Sequence, residues 1–122
     1  MIKDVCIAAA NMLGLTEDAQ QLASEACEQE TADKYLRLYG LVVSEIAEEY
    51  RRGENADLSA DSLTDEEASF TGISRRILAY GVAAEYAITE GLDVAELWDT
   101  RYKSSIAMAE RQPVRIKSRR FV

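Results

Sequence analysis

The clearest fold signal lies in residues 73–86, which read Ile73-Ser74-Arg75-Arg76-Ile77-Leu78-Ala79-Tyr80-Gly81-Val82-Ala83-Ala84-Glu85-Tyr86. Apolar side chains recur there at the three- and four-residue spacing of one helix face. That face comprises Ile73, Ile77, Tyr80 or Gly81, Ala84, and Ala87 or Ile88. Because glycine and alanine make the face thin, the segment predicts a helix that begins at Ile73 or Ser74 and packs closely against its neighbours.

A second amphipathic helix is predicted from Val94 to Glu110. Its apolar stripe consists of Ala95, Trp98, Tyr102, Ile106 and Ala109. The intervening turn, Glu90-Gly91-Leu92-Asp93, is short, so the two helices should run antiparallel. Asp93 is the predicted N-cap of the second helix.

Three further helices are predicted before residue 53. The first runs from Ile2 to Met12 or Leu13 and ends at Gly14, and the second is capped by Thr16. The longest follows a cap at Thr31 and ends at Arg51-Arg52-Gly53. Its stripe is Tyr35, Leu38, Tyr39, Val42, Ile46 and Tyr50, and Gly40 in its middle is the predicted site of a close helix crossing.

Residues 53–72 lack a helical pattern and are rich in residues that form turns. Thr64-Asp65-Glu66-Glu67 matches a capping box and could start one helical turn. A small β-hairpin is the competing interpretation, and an irregular loop is the third. The predicted fold is therefore all-α, with four or five helices, a central loop or small β-hairpin, and an extended C-terminal arm.

The predicted arm covers residues 113–122, after a helical domain at residues 1–112. Pro113 should end the last helix, and apolar and basic residues then alternate as in an extended segment. We predict that this arm docks onto a partner through Arg115, Ile116, Lys117, Arg119, Arg120 and Phe121. The simpler alternative is a solvated terminus.

Charge is divided unevenly along the chain. Five of the 14 lysines and arginines lie after residue 110, where no acidic residue occurs. Residues 1–110 contain the other nine lysines and arginines and all 22 acidic residues. Their formal charge is therefore −13, whereas that of the whole chain is −8. An acidic body repels nucleic acid, so DNA or RNA contact is expected only through the tail.

The composition predicts a single small domain without a membrane span. The chain has 122 residues, and no apolar run approaches the roughly 20 that cross a bilayer. The first residues lack a signal-peptide pattern. Cys6 and Cys27 each lie among small apolar residues, so both are predicted to be reduced and buried, with a structural disulfide as the alternative. We therefore expect an intracellular, soluble protein.

Catalytic chemistry finds little support in the residues. The chain has no histidine, which excludes histidine-based acid–base catalysis and histidine metal ligation. Glycine-rich phosphate loops are also missing. Glu45, Glu48 and Glu49 could in principle bind a divalent cation, but a solvated helix face explains them more simply. We predict no catalytic, cofactor-binding or metal-binding residue and no cofactor.

A resemblance extends over residues 73–122. It is carried by the helix at 73–86, by Ala95-Glu96-Leu97-Trp98-Asp99-Thr100-Arg101-Tyr102-Lys103 and by Ile116-Lys117-Ser118-Arg119-Arg120-Phe121. Together these resemble small virion proteins of tailed phages and prophages, in the head–tail connector (adaptor) group. The resemblance implies an α-helical protomer that assembles as a ring between capsid and tail.

The implied partners are further copies of the chain and virion proteins such as portal or tail components. The implied locations are the bacterial cytoplasm during assembly and then the virion. One alternative is a bacterial helical regulator that binds a partner protein or nucleic acid through its basic tail. A small metal-dependent helical enzyme is the other, but the Glu-x-x-His pairs typical of carboxylate bundles are absent.

Overall fold

The described residues form five helices. The computed structural model describes residues 1–49 and 60–119, and for residues 110–119 the description covers the backbone alone. The helices are α1 (Ile2–Met12), α2 (Thr16–Ala23), α3 (Gln29–Glu49), α4 (Arg75–Thr89) and α5 (Ala95–Arg119). The described ranges contain no strand, only an isolated bridge between Phe70 and Ile73. The all-α prediction is confirmed.

Helix α4 lies at the centre of the fold and packs against α1, α3 and α5. Its buried residues are Leu78, Ala79, Gly81, Val82, Ala83, Ala84 and Ala87. They surround most of the helix, because three neighbours need three contact faces. The sequence pattern predicted only one of these faces.

The closest approach between helices is at Gly81. A Cβ atom built there would lie 2.7 Å from Val42 Cγ1 on α3 and 2.9 Å from Tyr102 Cε1 on α5. The prediction of tight packing at this glycine is therefore confirmed. The predicted crossing at Gly40 is wrong, since a Cβ atom there would have no contact within 4 Å.

Glycine ends both α1 and α4 by the same hydrogen-bonding motif. Gly14 has φ +74° and Gly91 has φ +65°, the left-handed region that glycine enters without strain. After α4, the Leu92 N–H donates to the Ala87 carbonyl at 2.9 Å and the Gly91 N–H donates to Ile88 at 3.2 Å. This is the Schellman pattern, which satisfies carbonyls that the helix leaves unpaired.

The helix starts differ in part from the predicted caps. Ser74 is the N-cap of α4, as predicted, and its Oγ accepts from the Ile77 N–H at 3.4 Å. By contrast, α2 begins at Thr16 itself, α3 begins ahead of Thr31, and α5 begins after Asp93. Each of these starts lies within a few residues of its predicted cap, because a cap motif indicates a helix start only to that precision.

The described part of the central segment is an irregular loop. Asp65 Oδ2 accepts the backbone N–H groups of Asp61 and Ser62 at 3.1 and 3.0 Å, so its carboxylate shapes a turn instead of a helix start. The Tyr39 hydroxyl accepts the Ala68 N–H at 2.7 Å and holds the loop against α3. Neither the helical turn nor the hairpin occurs at residues 60–72, and residues 53–59 lie outside the description.

The predicted extended arm is wrong for the backbone as far as Arg119. Helix α5 continues through Pro113 and crosses the predicted boundary between residues 112 and 113. Proline removes one N–H donor and crowds one carbonyl, but a helix can absorb this when its flanks favour helix. Glu110, Arg111 and Gln112 before it, and Arg115 and Lys117 after it, are all good helix formers.

The core contains one of the two cysteines. Cys6 is fully buried and Cys27 half-buried, and both are free thiols. Burial raises the pKa of the Cys6 thiol to about 12. The prediction of reduced cysteines is therefore confirmed, although Cys27 is less buried than expected. In the described ranges, no helix has the length and apolar character to cross a bilayer.

Candidate interaction surface

The predicted docking residues lie on and beyond the end of α5. Arg115, Ile116, Lys117 and Arg119 belong to its last turns. Arg120 and Phe121 fall outside the described residues. The structure therefore places four of the six on one helix, and their side-chain contacts remain predictions.

A second surface, which the sequence pattern did not predict, lies where α4 turns into α5. We call residues 88–97 the turn surface. Four of its aliphatic side chains are exposed: Ile88 to 53 %, Leu92 to 37 %, Val94 to 40 % and Leu97 to 48 %. These four residues lie at the end of α4, in the turn and at the start of α5. Four exposed aliphatic side chains within ten consecutive residues make this segment a candidate contact site.

Acidic side chains are interleaved with these apolar ones. Glu90, Asp93 and Glu96 are exposed, and residues 88–97 contain no lysine or arginine. Lys34 reaches this surface from α3 and forms an ion pair with Glu90, which raises the pKa of the lysine. The same ammonium lies 4.5 Å from the centre of the Tyr86 ring. Its charge is thus already engaged within the protomer.

An open cavity of about 630 Å³ borders the turn surface. Its lining consists of Glu30, Asp33, Lys34, Arg37, Thr89 and Glu90. Three acidic and two basic residues line it, so it has no single charge preference for a small ligand. We interpret it as the solvated groove between α3 and the end of α4.

Trp98, directly after the turn surface, packs α5 against α4. Its ring centre lies 5.9 Å from that of Tyr80 on α4, and the Arg101 guanidinium carbon lies 5.2 Å from the Trp98 ring centre. Trp98 packs against the core as predicted, but it is half-buried instead of fully buried. These contacts hold the first turn of α5 against α4 and so fix the position of Leu97.

A separate cluster of carboxylates bridges the middle of α3, α4 and α5. The Tyr102 hydroxyl donates to Glu45 at 2.7 Å, and Lys103 pairs with Asp99 at 3.2 Å. Burial, followed by repulsion from Glu45 and Asp99, raises the pKa of Glu85. Each of these contacts joins helices or stabilises α5. In the ranges that the structure describes, no three cysteine or acidic side chains are arranged to hold a metal ion.

Helical periodicity did not predict the exposure of the turn surface, because it reports the spacing of apolar residues and not their contact with solvent. Ile88 had been predicted, together with Ala87, as an alternative member of the buried face. The structure buries Ala87 and exposes Ile88. One usable signal existed: Leu92 and Val94 flank Asp93 in a short turn, where aliphatic side chains have few neighbours to pack against.

Comparison with family models, with curated proteins and with solved structures found no match to this chain.

Proposed function

We propose that this protein is a structural head–tail connector of a tailed phage or prophage, and that it assembles into a ring in the virion neck. Its partners are further copies of itself and virion proteins such as portal or tail components. It acts in the bacterial cytoplasm during assembly and then in the virion. The proposed role is mechanical and requires no catalysis.

The single observation that carries this proposal is the turn surface. Four exposed aliphatic side chains within ten consecutive residues cost solvation free energy in an isolated protomer. Covering them contributes about 1 kcal/mol for each half-exposed side chain, before the cost of association. A ring repeats that contact at every interface, so a modest pairwise contact can support a stable assembly.

The length of α5 also supports assembly. Gly81 lies opposite Tyr102, and the antiparallel register therefore places Arg75 level with Met108. Helix α5 then continues past the start of α4 for residues 110–119, about 15 Å at 1.5 Å per residue. That segment is basic and includes residues 116–119, which belong to one of the three stretches that carry the resemblance to connector proteins.

The test of this proposal is the assembly state of the purified full chain. Sedimentation velocity over a range of protein concentrations, followed by negative-stain microscopy, should reveal closed rings of one size. Addition of the portal or tail proteins encoded beside it should capture the ring in a stable complex. A chain that remains a monomer or simple dimer and binds a DNA fragment would support the regulator alternative and refute the connector.

A further inference from the structure

We infer that the turn surface of one copy binds segment 111–122 of a second copy. This inference rests on the proposed function, since it specifies how neighbouring protomers join. It predicts a head-to-tail contact in which two different surfaces of the same chain meet. In the turn surface, the side chains of Ile88, Leu92, Val94 and Leu97 are exposed and so lie outside the core of their own protomer.

Charge complementarity identifies the occupant. The turn surface carries Asp93 and Glu96, together with Glu90, which Lys34 of α3 already pairs; residues 88–97 themselves contain no lysine or arginine. Segment 111–122 carries five cations and no acidic residue. Both also contain aliphatic side chains, so each can supply the apolar area and the opposite charge that the other lacks.

Self-association of two turn surfaces is the alternative contact between copies, and charge disfavours it. A two-fold interface would bring each surface against its own counterpart. Asp93 and Glu96 of one copy would then share one interface with Asp93 and Glu96 of the other, while Lys34 offsets the charge of Glu90 in each copy. Like charges brought together and desolvated oppose binding, so the apolar cluster needs a basic partner.

Geometry excludes contact within one chain. Helix α5 begins at the turn surface and runs away from it for 25 residues. At 1.5 Å per residue, Arg119 lies about 36 Å from Ala95 along the helix axis. Residues 111–119 are part of this same helix, so they cannot fold back to the turn surface where it begins. A second copy must supply it.

Such a contact is heterologous and propagates from copy to copy. It closes into a ring if the rotation between neighbours divides a full turn, and otherwise forms an open filament. The inference therefore predicts that blocking either surface stops growth. It also predicts that two differently blocked chains can still form one contact.

The experiment uses full-length chains with complementary blocks. The surface-blocked variant is Glu96→Arg/Leu97→Arg, which removes apolar area and repels a basic segment. Its matched control is Leu41→Arg/Glu48→Arg on α3, which changes the same residue types and the same net charge. Leu41 is 52 % exposed, close to the 48 % of Leu97, so both variants should fold. Circular dichroism checks that folding.

The tail-blocked variant is Arg115→Glu/Arg119→Glu. We expect each blocked variant alone to be monomeric in sedimentation velocity, with self-association weakened at least about tenfold. The control should assemble as the wild type does. An equimolar mixture of the two blocked variants should form a one-to-one complex that grows no further. Higher salt should weaken that complex, since the screening length falls from about 10 Å at 0.1 M to about 3 Å at 1 M.

The outcomes separate this inference from the proposed function. If the wild type forms rings but the surface-blocked variant does so equally well, the head-to-tail contact is wrong while the connector stands. If the wild type forms only open chains that both blocks abolish, the contact stands and the closed ring is wrong. A wild type that stays monomeric at its highest soluble concentration overturns both.

Discussion

Replacing Gly81 by alanine tests the closest contact in the core. The new Cβ atom would lie 2.7 and 3.1 Å from the two methyl groups of Val42 and 2.9 Å from the Tyr102 ring. Val42 is β-branched and nearly confined to one rotamer in a helix, so it cannot swing away. Tyr102 is held by its hydrogen bond to Glu45. Helices α3 and α5 must therefore move away from α4 to make room for the new methyl group.

The magnitude follows from two opposing terms. Alanine stabilises a helix interior by about 1 kcal/mol relative to glycine. Overpacking of a well-filled core costs about 1–3 kcal/mol, and contact with two restrained neighbours favours the upper part of that range. We expect Gly81→Ala to lower the free energy of unfolding by about 1–2 kcal/mol, equivalent to a decrease in Tm of roughly 4–8 °C for a domain of this size.

Gly40→Ala is the matched control, because a Cβ atom there would contact nothing within 4 Å. It should raise the free energy of unfolding by up to about 1 kcal/mol through helix propensity alone. Val42→Ala removes both clashing methyl groups and should therefore cost less in the Gly81→Ala background than in the wild type, by on the order of 1 kcal/mol.

The assay is urea unfolding followed by far-UV circular dichroism, at protein concentrations low enough to avoid assembly. The free energies come from the midpoint and slope of each transition. If Gly81→Ala stabilises the protein as much as Gly40→Ala does, the three helices do not approach each other as the structure describes. The reasoning about the crossing would then be refuted.

Three further predictions concern single side chains. Gly91→Ala should cost about 1 kcal/mol in urea unfolding, because φ is +65° there while the added Cβ atom meets nothing; an unchanged midpoint would exclude that backbone conformation. Tyr102→Phe should cost about 1–2 kcal/mol by loss of its bond to Glu45, and Glu45→Gln, which keeps an acceptor, should cost less. The pKa of Glu85 is raised in the folded state, so folding takes up protons and stability should fall as pH rises from 4.5 through the folded pKa. Glu85→Gln should remove that slope and stabilise the protein at neutral pH, and a pH series of unfolding midpoints that is identical to wild type would contradict the assignment.

The helices themselves were predictable, because a local signal specifies each of them. The stripe of α3 from Tyr35 to Ile46 is buried throughout, and the stripe of α5 from Tyr102 to Ala109 is buried as well. Ser74 caps α4 by a contact within one helical turn. The starts of α2, α3 and α5 differ from their predicted caps by a few residues, which is the precision to which local signals specify a helix boundary.

The error at Pro113 arose because a rule about a single residue was applied to a long helix. The proline rule considers one residue and one lost hydrogen bond, whereas a helix extends when the sum over all its residues favours it. The alternating pattern of residues 114–117 was interpreted as extended, but four residues are too few to separate period two from helical spacing.

Only part of the candidate interaction surface could be predicted from the sequence. The basic charge of segment 111–122 is a property of composition, so it was predicted from the residues alone. The exposure of the turn surface was not predicted, because exposure depends on which neighbouring elements pack against a side chain. Ile88 and Ala87 are adjacent in sequence, yet only the packing of α4 decides that Ala87 is buried and Ile88 is not.

The sequence by itself determined the helical class, the closing turns at Gly14 and Gly91, and the charge division between body and tail. The helices and turns depend on residues close together in the chain, and the charge division is a sum of formal charges along it. The tertiary structure alone decided that α4 is central, that Gly81 and not Gly40 is the site of closest helix approach, and that the turn surface faces solvent. These depend on contacts between residues far apart in sequence, such as Val42, Gly81 and Tyr102, and no local pattern records which helices will meet.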